Sequence, residues 1–77
     1  MKTLNAQDQV GEAIECFDSD WGERIRVKYG RELGKVVIEV KDQIFSFELD
    51  ALVKKFQVSV GNVMGKTVLL CTRRRSV

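Results

Sequence analysis

A chain of 77 residues with 44% hydrophobic and 31% charged residues has the make-up of one small globular domain. It has room for a single core and little for a deep, walled active site. No histidine is present, which excludes imidazole general bases, and the two cysteines form no Cys-x-x-Cys, which excludes the usual zinc sites.

The net charge of +2 conceals an asymmetry, because residues 1–23 sum to about −5 and residues 24–77 to about +7. No apolar run approaches membrane-spanning length, and the polar stretch Thr3–Gln9 stands where a secretory leader needs an apolar one. The expectation is one domain over residues 1–77, cytoplasmic and without a membrane partner. In that setting Cys16 and Cys71 read as two buried thiols rather than a disulfide.

Residues 5–17 read as a helix, with a short strand over Ala13–Phe17 as the rival. Asn5 is the N-cap, Asp8 lies in the first turn, and Val10, Ala13, Ile14 and Phe17 recur at helical spacing. Asp18-Ser19-Asp20-Trp21-Gly22 is turn chemistry, with Trp21 read as a lid on the core edge and, alternatively, as a stacking platform for a base.

Residues 24–29 alternate as a strand, Ile25, Val27 and Tyr29 on one side and Arg24, Arg26 and Lys28 on the other. The loop Gly30–Gly34 follows. Setting Val27 opposite Ile38 keeps one apolar face continuous and requires a bulge or a longer loop, with Gly34 as its irregular residue.

Residues 35–49 carry the strongest two-residue period. Val36, Ile38 and Val40 alternate with Lys35, Val37, Glu39 and Lys41, and Phe45, Phe47 and Leu49 alternate with Ile44, Ser46 and Glu48. A turn at Asp42-Gln43 sets Val40 opposite Phe45, Ile38 opposite Phe47 and Val36 opposite Leu49, which predicts a hairpin of strands 35–41 and 44–49.

Leu49, Leu52, Val53 and Phe56 then switch to helical spacing, predicting a short helix from Asp50 as N-cap to Gln57. Val58-Ser59-Val60 and Thr67–Thr72 read as a closing hairpin, turning at Gly61-Asn62 or at Gly65-Lys66.

The fold expected is α+β: a small antiparallel β-meander of three to five strands, open or partly closed as a barrel, with an N-terminal helix and a short helix after the third strand. Its core is expected to hold Ile14, Phe17, Ile25, Val27, Val36, Ile38, Val40, Phe45, Phe47, Leu49, Leu52, Phe56, Val58 and Leu70. The order helix, three strands, helix resembles double-stranded-RNA-binding domains in outline. That family's basic loop and lysine-rich second helix have no counterpart around Asp50–Phe56, so membership does not follow.

Gly61-Asn62-Val63-Met64-Gly65-Lys66-Thr67 resembles a phosphate-binding P-loop, but one residue is missing between the glycines and a strand-like segment follows. The carboxylate pairs Asp18/Asp20 and Glu48/Asp50 have no apolar cleft to hold one member neutral, and no serine has a histidine to activate it. No enzyme, cofactor or metal is expected.

The cations remain. Arg24, Arg26 and Lys28 as a strand stripe, with Arg73, Arg74 and Arg75 as a basic tail, fit contacts to the phosphates of a nucleic acid. The second class is a protein-binding modulator, a small inhibitor or adaptor of a larger machine. Its contact is the acidic helix face of Asp8, Glu12 and Glu15 or an open sheet edge.

Overall fold

The computed structural model describes residues 5–74. Helix α1 spans Ala6–Ile14, capped by Asn5, whose side chain accepts the Asp8 N–H at 2.8 Å. A single helical turn, α2, spans Trp21–Arg24 and leads directly into β1, Ile25–Gly30. Strand β2 covers Lys35–Val40, α3 covers Ser46–Lys55, and β3 (Phe56–Val63) and β4 (Lys66–Arg73) close the chain. The four strands form one antiparallel sheet in the order β1-β2-β4-β3, leaving β1 and β3 as edges. The fold is α+β with an N-terminal helix, as expected, and the sheet is open rather than closed into a barrel.

Strand parity gives the sheet two unlike faces, because side chains two residues apart share a face. Ile25, Val36, Ile38, Phe56 and Cys71 lie beneath the helices and are fully buried together with Ala13 and Leu52. Val27, Tyr29, Val40, Val58 and Leu69 pack around them, and Trp21 packs on the same cluster, so its position is that of a lid. The opposite face carries no helix among the described residues.

The β1–β2 register is the expected one, Val27 opposite Ile38. Parity is restored by a shorter connection instead of a bulge or a longer loop. Gly30 joins β1 and pairs with Lys35, and Gly34 closes the remaining four-residue turn at φ +67°. The last hairpin turns at Met64-Gly65, with φ of 51° and 80°, the handedness two-residue hairpins require. Gly61-Asn62 therefore lies inside β3, and Lys66 opens β4.

The expected strand 44–49 is not formed: Ser46 opens α3 four residues before the anticipated cap Asp50, and Phe56 and Gln57 belong to β3. Phe47, placed at the centre of the hairpin face, is 57% exposed and stacks on Phe45 with ring centroids 5.7 Å apart. Leu49 is also at the surface. The cause is Glu48. Its Oε1 accepts the Phe45 N–H at 2.9 Å, tying down the helix start, while its side chain runs into the core. The inward stripe of α3 is the buried Glu48 and Leu52 with the partly buried Ala51, one residue out of phase with the apolar spacing that begins at Leu49.

Candidate functional site

Arg24 is the first expected site residue the fold relocates. It ends α2, is 4% exposed, and points inward where strand alternation would have sent it to solvent. Its guanidinium donates to Glu48 through Nη1 at 2.9 Å and Nη2 at 2.6 Å, and also to Asp20 Oδ1 and the Gln43 carbonyl. It stands 4.1 Å from the centre of the Phe45 ring. Glu48, fully buried, also accepts the Asp18 N–H at 2.8 Å. The Arg24 hydrogen bonds, helped by those N–H groups and opposed by burial, bring the Glu48 carboxyl down to about 2. Burial of a charge requires such pairing. Arg24 Nε alone has no partner among the described residues. This cluster joins α2, α3 and the turn before α2, and Arg24 is not available to a ligand.

Arg26 and Lys28 do share a surface. They project from β1 on the helix-free face, where Arg26 pairs with Glu39 and Lys28 with Val37 in the β1–β2 register. Two further cations join them there, Lys35 opposite Gly30 and Lys66 at the start of β4. Neither was identified as a site residue from sequence, although each follows a glycine at a strand start and keeps the parity of the polar face. Glu39 is the acid of this face among the described residues. Lys66 Nζ lies 3.3 Å from its Oε1, and that bond holds the carboxyl below its usual range. An open depression of about 570 Å³ is lined by Arg26, Glu39, Val40, Lys41, Lys66 and Thr67.

The C-terminal arginines lie elsewhere. Arg73 follows Cys71 in parity and so belongs to the helix side, where Nε and Nη2 donate to the two carboxylate oxygens of Glu12, each at 3.2 Å. One member of the expected basic site is thereby bonded to one member of the expected acidic site. Arg74 Nε donates to the Val53 carbonyl at 2.8 Å, and Arg75 lies outside the described residues. Asp8 on α1 and Glu15 at its C-cap are exposed.

Cys16 and Cys71 are free and buried. Burial raises both thiols, Cys71 to about 11. The P-loop-like segment is the end of β3, a two-residue turn and the start of β4, so Lys66 and Thr67 do not open a helix. Among the described residues no group of three or more cysteine and carboxylate side chains is arranged to hold a metal, and no helix is long and apolar enough to cross a membrane. No protein family, curated protein or solved structure matches the chain.

Proposed function

We propose that this is a non-enzymatic binding protein that takes the phosphate backbone of a nucleic acid on the helix-free face of its sheet. The observation that carries this reading is the placement of Arg26, Lys28, Lys35 and Lys66 on one helix-free face whose single acid among the described residues, Glu39, is already engaged by Lys66. Cations on a rigid surface bind phosphates by releasing condensed counterions. The face offers no helix to enter a groove and read base edges, so recognition is of backbone and shape rather than sequence. Arg24 plays no part, and Arg73 belongs to the other side of the sheet.

Fluorescence anisotropy with a labelled duplex and a labelled single strand at low salt tests the reading. Affinity should depend weakly on sequence and steeply on salt, with a log–log slope near −0.9 for each phosphate neutralised on duplex. Absence of binding to both probes at tens of micromolar protein would remove it.

The second reading, a modulator of a larger protein, draws on the exposed Asp8 of α1 and Glu15 at its C-cap, since Glu12 is held by Arg73. A pull-down from native lysate with and without nuclease separates the two: partners lost with nuclease support the first, and one persisting protein supports the second.

A further inference from the structure

We infer that the free edge of β3 is a homodimer interface, in which two copies pair β3 with β3 antiparallel about a twofold axis at Val60. This surface is distinct from the cationic face, and the inference does not depend on the phosphate reading.

The hydrogen-bond phase of β3 identifies the open groups. A two-residue turn at Met64-Gly65 makes Val63 and Lys66 a mutually bonded pair, and such pairs alternate along an antiparallel ladder. At the other end the Arg74 N–H donates to the Lys55 carbonyl at 3.1 Å, in the same phase. Gln57, Ser59, Gly61 and Val63 therefore bond β4, and the peptide groups of Val58, Val60 and Asn62 point out of the sheet. The Phe56 N–H is already given to the Leu52 carbonyl.

Edge strands are normally guarded by charge, proline or shortness. β3 has none of these: Phe-Gln-Val-Ser-Val-Gly-Asn-Val runs eight residues without a charge or a proline. The other edge, β1, carries Arg26 and Lys28. Val60 shares the face of the buried Phe56 and the partly buried Val58, yet it is 72% exposed, and Met64 beyond it is 96% exposed. On the same side of the sheet α3 leaves Val53 exposed.

The partner that fits is a second copy. An uncharged strand laid against itself opposes no like charges, whereas β1 against β1 would bring four cations together. An axis at Val60 sets Val60 against the partner's Val60 and Val58 against the partner's Asn62. Every outward peptide group then meets another outward group, giving about six main-chain hydrogen bonds. The contact is isologous and uses both β3 edges, and the guarded β1 edges stop further growth. Two four-stranded sheets become one continuous sheet, with both cationic faces on the same side.

Sedimentation equilibrium of the full chain tests this. The wild type should be a dimer that dissociates on dilution. Val60→Lys and Val60→Glu should each be monomers with an unchanged far-ultraviolet spectrum, and an equimolar mixture of the two should recover the dimer. Lys28→Glu on β1 should not change assembly. Amide exchange gives an independent readout in the wild type: Val58, Val60 and Asn62 should be protected and lose that protection on dilution, while Ser59 and Gly61 stay protected throughout. A monomer at every concentration up to about 1 mM, where association is negligible, overturns the inference. So does a dimer that survives Val60→Lys, or rapid exchange at those three amides in the wild type at high concentration.

Discussion

Arg24 and Glu48, twenty-four positions apart, face each other through two hydrogen bonds of 2.9 and 2.6 Å, and both are buried. The pair fixes α3 to the start of β1, because Arg24 immediately precedes the strand and its carbonyl accepts the Lys41 and Asp42 N–H groups. Glu48→Ala leaves a buried guanidinium with its main partner gone and should destabilise by about 3–5 kcal/mol. Replacing both members, Arg24→Met with Glu48→Leu, removes the stranded charge and should recover much of that loss. Urea denaturation of the wild type and the two variants checks it, and a double variant less stable than Glu48→Ala would contradict the account.

The same carboxylate sets an acid limit. A carboxyl whose folded value lies near 2, against its ordinary value of 4.5, contributes stability that is complete above 4.5 and lost as pH falls toward 2. Glu39, lowered by the hydrogen bond from Lys66, acts in the same direction. Urea midpoints should therefore hold from neutral pH to about 5 and then fall. Glu48→Gln should start lower and decline less across this window. A parallel decline in both proteins would assign the acid sensitivity to other groups.

Phe47 and Leu52 separate the observed α3 from the strand that alternation suggests. Phe47 is 57% exposed and Leu52 fully buried. Leu52→Ala should cost about 2–5 kcal/mol as a core cavity, whereas Phe47→Ala should resemble a surface substitution, within about 1 kcal/mol. Denaturation curves in the reverse order would restore the hairpin.

That contrast marks where local pattern stopped being sufficient. α1 was legible because Asn5 and Asp8 form a cap within four residues, and the β1–β2 register because Val27 and Ile38 must share a face. Residues 44–49 alternate as cleanly, but their conformation is decided by a contact with Arg24, and no periodicity reports a partner so far along the chain. Arg24 itself looked like the first cation of a strand stripe for the same reason. Of the cationic surface, Arg26 and Lys28 were legible. Lys35 and Lys66 were not, because recognising them required knowing which strands lie side by side.

The two thiols should be silent in the native protein. Cys71 is raised to about 11 by burial and by Cys16, and Cys16 is raised by burial. Because the reactive species is the thiolate, a disulfide reagent at pH 8 should label neither residue until denaturant is added. Linkage runs opposite to that of Glu48. The stability contributed by the raised Cys71 is present below its ordinary 9.0 and lost as pH rises through about 11. Rapid labelling without denaturant would show that the core around Cys16 and Cys71 opens locally.

Glu12 and Arg73 locate the phosphate site. Their pair is on the helix side of the sheet, while Arg26 and Lys28 are on the other side. The acidic helix thus neutralises one C-terminal arginine and leaves the sheet face uncovered. If the helix-free face takes phosphate, Arg26→Ala with Lys28→Ala should lower the salt slope on duplex by about 2. Glu12→Gln, which frees Arg73 on the far side, should leave the slope where it was. Folding should barely change in either protein, because Arg26 and Lys28 are exposed and Glu12 is partly exposed. The opposite result, a steeper slope in Glu12→Gln and an unchanged one in the Arg26/Lys28 variant, would move the site to the C-terminal arginines and give α1 the role of a mask. Anisotropy titrations of the three proteins at four salt concentrations distinguish the two arrangements.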